Sequence, residues 1–299
     1  MEPQWDDMRI FLAVARTESL SGAGRQLKVD PATVGRRIAR LEEALGAPLF
    51  AKSPQGYAPT DAGQRLLAHA EQAEQAMQGA VEELSGNSGQ LSGQIRIGAP
   101  DGCANFILPQ VCAEISEQNP DLDIQIVALP RVFNLSKREA DLAIGVSQPT
   151  AGRLSVQKIT DYTLSLYAAR FYLRNSAPIE TLEDLKDHKI VGYIPDMIFD
   201  KELDYFSALG LDRIHLGSNS ASVQTQMVRA GHGVGIVHDF AIGPGARRMV
   251  RILPDDFRLT RSFYLIRHQD DRRLERMNRF ADALISGIKE EVQRLESEA

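Results

Sequence analysis

The segment that begins at Asp30-Pro31 constrains the fold of this sequence more than any other. An acidic residue that caps a helix, followed by proline at the first helical position, favours a helix start. Apolar residues then recur at steps of four, three and four, which places them on one helix face: Val34, Ile38, Leu41 and Leu45. Gly46 follows, at a position where helices commonly end. We therefore predict an amphipathic helix over residues 31–45, anchored by its apolar face.

The opposite face of this helix is basic. It carries Thr33, Arg36, Arg37 and Arg40 at steps of three and four, with no acidic residue among them. Guanidinium groups bind phosphate as a fork or guanine in the major groove, and the amino end of the helix adds a positive dipole. Exposed arginines are also compatible with simple solvation, so the neighbouring elements decide between the two interpretations.

Those neighbours are typical of a helix-turn-helix. Residues 5–17 are predicted to form a helix, and a short helix to Leu27 follows, with Leu20 as hydrophobic staple and Ser21 as N-cap. A short helix, a turn and a second helix form the DNA-binding layout, and residues 48–60 are predicted to be a β-hairpin whose tip reaches the flanking backbone or minor groove. The predicted DNA contacts are Ser21, Asp30, Pro31, Ala32, Thr33, Arg36, Arg37, Arg40, Lys52, Ser53, Gln55 and Thr60.

The charge of the whole chain limits how it meets DNA. The net charge is −6, so a uniformly basic surface is excluded and any DNA contact depends on a local patch. Residues 1–65 hold nine Lys/Arg and eight Asp/Glu, whereas residues 66–90 hold four Asp/Glu and no Lys/Arg. The first segment is the least acidic part of the chain.

A long helix is predicted from Thr60 or Asp61 to about Leu84. Small and medium residues repeat in it at 4-3-4-3-4 spacing, which is typical of a coiled-coil seam between two chains. The predicted seam consists of Leu66, Ala70, Ala73, Met77, Ala80 and Leu84. Residues 85–89 (Ser-Gly-Asn-Ser-Gly) then form the clearest linker in the chain.

Beyond the linker, short apolar runs alternate with helical stretches. The runs at 95–97, 122–129, 141–146, 190–193 and 234–237 are predicted strands, and 107–115, 223–228 and 274–295 are predicted helices. This alternation indicates an α/β architecture with largely parallel sheets, as one domain or two lobes.

Candidate ligand residues follow the predicted strands, because ligands in α/β sheets bind beyond the carboxyl ends of strands. The first group follows the strand at 95–97: Pro100, Asp101, Gly102 and Cys103. Asp101 would repel an anion, so a neutral or cationic ligand is as compatible as an acid, and helix capping is the alternative role. A second group lies just before another helix, where helix capping is again the alternative role: Asn219, Ser220 and Ser222. The weaker candidates are Leu129, Arg131, Ser147 and His238.

No motif indicates catalysis or a cofactor. The six histidines lack metal-ligand spacing, and Gly231-x-Gly233-x-Gly235 is not followed by the helix that a dinucleotide fingerprint needs. Cys103 and Cys112 are candidates for a redox switch, but small buried side chains explain them more simply. We expect no enzyme activity, no metal and no cofactor.

The sequence resembles the LysR-type transcriptional regulators. The resemblance lies in residues 11–15, 19–23, 32–42, 45–46, 49–50, 56 and 60–63, and more weakly in 108–109, 120, 141–145 and 230–235. It implies a DNA-reading third helix, a hairpin wing, a long helix that pairs two chains, and a rear domain of two lobes like a periplasmic binding protein with a small effector in the cleft. Gly35 departs from the family's usual serine and Pro59 from its usual leucine.

The expected fold is therefore an N-terminal winged helix-turn-helix with a long linker helix, followed by a two-lobed α/β effector domain. The expected boundaries are 1–63 for the DNA-binding domain, 64–89 for the linker helix and hinge, and 90–299 for the effector domain. Within that domain, lobe I spans about 90–165 and 266–299, and lobe II about 166–265.

The expected function is regulation of transcription in response to the effector. The expected partners are double-stranded DNA, a second or further copies of the chain as a homodimer or homotetramer, and RNA polymerase. A signal peptide and a membrane span are not expected, so the expected location is the cytoplasm. The alternatives are a solute-binding protein, a redox sensor built on Cys103 and Cys112, and an enzyme on the same α/β frame.

Overall fold

The computed structural model of the chain describes residues 3–53, 56–84, 90–128, 140–149, 154–206, 209–211, 213–243 and 248–298. The chain divides into two compact units, Met1–Ser88 and Gly89–Ala299. In the described ranges, no helix combines the length and apolarity that crossing a membrane requires.

The first unit contains four helices and a hairpin in its described residues. They are α1 (Trp5–Thr17), α2 (Leu20–Leu27), α3 (Pro31–Leu45), β1 (Phe50–Ser53), β2 (Gly56–Pro59) and α4 (Asp61–Leu84). Asp30 caps α3 through its side chain, and Gly46 ends it in the left-handed conformation, with φ of 65°. The prediction of Ser21 as the cap of α2 is wrong: Ser19 is the N-cap, and its hydroxyl accepts a hydrogen bond from the Gly22 amide at 3.2 Å.

The core of the first unit orients the outer face of α3. Val34, Ile38 and Leu41 of α3 are buried with Phe11 and Leu12 of α1. A Cβ atom on Gly24 would lie 2.6 Å from the Val29 carbonyl oxygen, so glycine permits the close turn between α2 and α3. Because the apolar stripe of α3 faces this core, Arg36 on the opposite side of the helix is exposed.

The second unit is built on one mixed sheet flanked by helices. Its strands are β3 (Gly93–Ala99), β4 (Leu122–Ala128), β5 (Leu142–Gly145), β6 (Leu154–Ala169), β7 (Ile190–Gly192), β8 (Leu216–Gly217), β9 (Val234–His238), β10 (Met249–Arg251) and β11 (Leu259–His268). Its helices are α5 (Asp101–Phe106), α6 (Leu108–Gln118), α7 (Arg170–Arg174), α8 (Ala221–Arg229) and α9 (Glu275–Ser297).

The expectation of largely parallel sheets is wrong. The pairs β3–β4, β3–β5, β7–β8 and β7–β9 are parallel, but every pair formed by β6 or β11 is antiparallel. Neither of these two long strands was predicted from the sequence. The first half of β6 is partly exposed and its second half is buried on both faces, so no regular alternation marks it.

The long strands divide this sheet into two lobes. Strand β11 pairs with β5 and with residues 154–164 of β6, whereas β9 pairs with residues 164–168 of β6. One lobe therefore contains β3, β4 and β5, and the other contains β7, β8, β9 and β10. This two-lobed arrangement is the one that the sequence led us to expect.

Candidate functional sites

One arginine on the outer face of α3 differs from the other two in its surroundings. Arg36 is exposed, and its Nη2 donates a hydrogen bond to Thr33 Oγ1 at 2.9 Å. No carboxylate pairs with it among the described residues. Pro31 and Ala32 are also exposed at the start of the helix, and Asp30 Oδ1 accepts a hydrogen bond from the Ala32 amide at 2.9 Å. Asp30 therefore organises the amino end of α3.

Arg37 and Arg40 differ from Arg36 because both approach acids of α1. Arg40 donates to Asp7 from Nε at 2.8 Å and from Nη2 at 2.5 Å, and Nη2 also donates to Gln4 Oε1 at 3.1 Å. The hydrogen bonds to Asp7 raise the pKa of Arg40. Arg37 Nη1 lies 3.7 Å from Asp6 and 3.6 Å from Asp7 without a hydrogen bond to either. The sequence predicted the same role for all three arginines, but in the structure Arg40 is hydrogen-bonded within its own chain.

The other predicted DNA contacts lie around this face. Ser21 is exposed on α2. Thr60 Oγ1 donates to the Pro48 carbonyl at 2.7 Å and accepts from the Gly63 amide at 3.0 Å, so it fixes the start of α4. The hairpin pairs in antiparallel register with Ser53 opposite Gly56. Gln55 and the side chains of Lys52 and Ser53 lie outside what the structure describes.

The predicted seam on α4 falls into two parts. Leu66 is half-buried and Ala70 is fully buried, and both pack on the core of the first unit. Farther along, Ala73, Met77 and Ala80 are exposed, Met77 with 56% of its surface accessible. Arg16 of α1 holds the middle of α4 through an ion pair with Glu74 at 2.6 Å. The side chain of Leu84 lies outside the described part.

The second unit contains a cavity between its lobes. The lining residues are Pro100, Asp101, Gly102, Cys103, Val146, Tyr162, Tyr193, Phe199, Leu203, Asn219, His238 and Phe263. Six of these were predicted from the sequence, namely Pro100, Asp101, Gly102, Cys103, Asn219 and His238. The aromatic lining was missed: Tyr162 and Phe263 belong to the two unpredicted strands, and neither Tyr193, at the end of a predicted strand, nor Phe199 was among the candidates.

Asp101 connects the two predicted ligand groups across the cleft. Its Oδ2 accepts a hydrogen bond from the Ser222 amide at 2.8 Å and from the Ser220 hydroxyl at 3.0 Å. Its Oδ1 accepts from Asn105 Nδ2 at 3.1 Å. Ser220 is also the N-cap of α8, since its hydroxyl accepts from the Val223 amide at 3.2 Å. The Asp101 carboxylate thus lies at the amino end of a helix in the opposite lobe rather than capping its own helix.

His238 contributes a neutral ring to the cavity. Burial lowers its pKa to about 4, although the nearby Asp101 carboxylate opposes that shift. Its ring packs 5.5 Å from that of Tyr162 and 4.8 Å from that of Phe240. Ser147, just beyond β5, donates a hydrogen bond to the Asp200 carboxylate instead of lining the cavity. Leu129 and Arg131 fall outside the described residues.

The two cysteines are buried thiols. Both are free, and burial raises the pKa of Cys112 to about 12 and that of Cys103 further above its ordinary range. Because the thiolate is the reactive form, this environment opposes a redox role. Among the residues that the structure describes, no group of His, Cys, Asp or Glu side chains is arranged to hold a metal ion.

Sequence comparisons match each of the two units of the chain to a family. Residues 5–64 match the family described as "Bacterial regulatory helix-turn-helix protein, lysR family", and residues 88–288 match "LysR substrate binding domain". The regulator PtxR of Pseudomonas aeruginosa is 25% identical over 251 residues, which cover 82% of this chain and 80% of PtxR.

Two solved structures share the fold. Full-length OxyR from Pseudomonas aeruginosa, solved as a cysteine-to-aspartate variant, has a TM-score of 0.71 at 17% identity, covering 97% of this chain and 95% of OxyR. LysG from Corynebacterium glutamicum, solved with bound effector Arg, has a TM-score of 0.62 at 17% identity, covering 96% of this chain and 98% of LysG.

Proposed function

The chain belongs to the LysR-type transcriptional regulators, and we propose that it reads its operator through Arg36 and Arg37 on the outer face of α3. As a member of this family it binds DNA through its helix-turn-helix domain and a small effector through its substrate-binding domain, and it forms oligomers. Its function is regulation of transcription and not catalysis.

The exposure of Arg36 carries the proposed DNA contact. The side chain stands on the helix face opposite the buried Val34, Ile38 and Leu41 stripe, so it projects where a major groove would receive it. Arg37 lies 3.6–3.7 Å from Asp6 and Asp7 without a hydrogen bond to either, so its guanidinium can bind a phosphate or a guanine without breaking a hydrogen bond. The exposed Pro31, Ala32 and Ser21 and the wing with Lys52, Ser53 and Gln55 complete the proposed contact surface. Four more of the predicted contacts have hydrogen bonds within the chain, and we propose that they support this surface: Asp30, Thr33, Arg40 and Thr60.

The exposed part of α4 is the proposed pairing surface between two chains. Ala73, Met77 and Ala80 lie along the predicted seam beyond the segment that packs on the core of the first unit. A homodimer formed there, or a homotetramer of two such dimers, presents two reading helices to successive major grooves. Leu84 extends the proposed seam, and we propose domain boundaries at residues 63 and 89.

The cavity of the second unit is the proposed effector site. Asp101 and Asn219 reach it from opposite lobes, so a bound molecule contacts both and favours one degree of lobe closure. We propose that this closure changes how the paired DNA-binding domains sit on the operator and thereby the access of RNA polymerase to the promoter. The protein is proposed to act in the cytoplasm.

A gel shift of the full chain on its own upstream DNA tests the proposed reading helix. We expect wild type to form a discrete complex that survives nonspecific competitor, and the variant carrying Arg36→Ala and Arg37→Ala to lose it. The matched control replaces two exposed basic residues of the second unit, Arg174→Ala with Lys289→Ala, and is expected to bind as wild type. Undiminished binding by the α3 variant contradicts the assignment.

A further inference from the structure

We propose that Asp101 determines the charge of the molecule that this cavity accepts: its carboxylate occupies the amino end of α8, so the cavity admits an uncharged or cationic molecule and excludes a carboxylate. This inference rests on the proposed effector site and deepens it by naming the ligand class. Asp101 acts here as a specificity-determining residue.

The amino end of α8 is the natural anion site of the cleft, and the chain fills it itself. Free amides and the helix dipole favour a negative group at a helix start. In α8, a helix of nine residues, the Ser222 amide and the Ser220 hydroxyl both donate to Asp101 Oδ2, at 2.8 and 3.0 Å. An incoming carboxylate would have to displace Asp101 from these donors and would meet its negative charge.

The other described residues of the lining offer an anion no cationic partner. None of them is a lysine or arginine, and burial keeps His238 neutral by lowering its pKa to about 4. Arg261 interacts electrostatically with Tyr162 at the cavity wall, but its Nε is paired with Glu202 Oε2 at 3.0 Å. Asp101 is therefore the only acidic side chain among the described lining residues, and no lysine or arginine of that set lies opposite it.

The same lining suits a neutral or cationic molecule with an apolar body. Four aromatic rings line it, and aromatic faces attract apolar groups and cations alike: Tyr162, Tyr193, Phe199 and Phe263. Two residues that contact the lining carry a buried oxygen without a hydrogen-bond partner among the described residues: Ser222 at Oγ, and Tyr205, which is 2% exposed, at its hydroxyl. The Tyr205 ring contacts the lining residues Tyr193 and His238, at 5.8 and 6.3 Å between centroids. Buried oxygens without a partner can bind a few polar groups of a ligand, and the apolar wall can bind the rest of it, so a ligand with an apolar body and few polar groups is favoured.

Calorimetric titration of the full chain with sodium benzoate tests this directly. We expect no measurable benzoate binding by wild type, and binding by Asp101→Ala at least about tenfold tighter than the detection limit, because the Ser222 amide becomes free and the repulsive charge is gone. Asp101→Asn keeps an acceptor for the Ser222 amide and is expected to bind benzoate more weakly than Asp101→Ala. Asp123→Ala, which removes an exposed acid of the same lobe, is expected to behave as wild type.

Three results overturn the proposal. They are benzoate binding by wild type within threefold of Asp101→Ala, no binding by any variant that circular dichroism shows to be folded, and a gain of binding by Asp123→Ala equal to that of Asp101→Ala. Asp101→Ser serves as the second variant if Asp101→Ala does not fold. Since the titration contains no DNA, its failure leaves the α3 assignment intact, and a failure of that assignment appears only in the gel shift.

Discussion

Replacing Asp7 by asparagine separates stability from DNA binding in the first unit. Asp7 is 2% exposed, and its two carboxylate oxygens accept hydrogen bonds from Arg40 Nε and Nη2 at 2.8 and 2.5 Å. Asparagine has the same size but one acceptor oxygen, and its amide group would face the Arg40 guanidinium. At least one of the two charge-assisted hydrogen bonds is therefore lost.

The expected cost follows from the burial of Asp7. A hydrogen bond to a charged group contributes roughly 1.5–3 kcal/mol when its loss leaves a buried polar group unsatisfied, so we expect the free energy of unfolding to fall by about 2 kcal/mol. For a unit the size of Met1–Ser88, that corresponds to a decrease of roughly 10 °C in the unfolding midpoint. Operator affinity at temperatures below that midpoint is expected to be unchanged or higher, since one negative charge beside Arg37 is removed.

The chain contains its own reporter and control for this experiment. Trp5 is the only tryptophan and lies in α1, two residues before Asp7, so its fluorescence follows unfolding of the first unit. The control is Asp6→Asn, because the Asp6 side chain is 67% exposed and lies 3.7 Å from Arg37 without a hydrogen bond. We expect the control to change stability by less than about 0.5 kcal/mol. If Asp7→Asn and Asp6→Asn unfold within about 2 °C of each other, the structural role assigned to the Asp7–Arg40 pair is refuted.

Three further predictions concern single positions in the two units. Gly35→Ala is expected to raise the free energy of unfolding by roughly 0.5–1 kcal/mol, because alanine favours a helix more than glycine does and a Cβ there meets only the end of the Leu20 side chain at 3.4 Å. Urea titrations followed by Trp5 fluorescence measure this, and a loss of stability would show that the contact with Leu20 is not tolerated. Burial lowers the pKa of His238 to about 4 from near 6.5, so the unfolded chain binds a proton at a higher pH than the folded chain does. The free energy of unfolding of the second unit is therefore expected to fall by about 3 kcal/mol as the pH drops from 6.5 to 4, and to level off below pH 4. Urea midpoints measured by circular dichroism check this. The stability of His238→Gln should depend less on pH over the same range, whereas an equal decline in both proteins would show that other groups cause the pH dependence. Cys103 and Cys112 are expected to react with Ellman's reagent only after denaturation, and reaction of either thiol in the native protein within minutes would reopen the redox alternative.

Local signals in the sequence predicted the first unit well. Helix α3 begins at Pro31 and ends at Leu45 as expected, because a capping acid, a first-turn proline and a left-handed glycine all lie within the segment itself. The cap of α2 was misplaced by two residues, since serines stand on both sides of Leu20 and only the hydrogen bond to Gly22 distinguishes them.

Features that depend on distant residues could not be predicted in this way. Arg40 pairs with an acid 33 positions earlier, and helical periodicity contains no information about that partner. Tyr162 and Phe263 of the cavity wall were missed for the same reason, because the strands that carry them, β6 and β11, pair across a long separation in sequence. Pro100, Asp101 and Asn219 were found because the ends of strands and the starts of helices are visible in the sequence.

The salt dependence of operator binding tests the central claim, that the outer arginines of α3 contact DNA. The slope of log affinity against log salt concentration should be shallower in the Arg36→Ala, Arg37→Ala variant than in wild type by about 1.8 for each bound chain, if both arginines contact phosphate. A slope and an affinity equal to those of wild type would contradict the claim and would place the DNA-binding surface elsewhere on the chain.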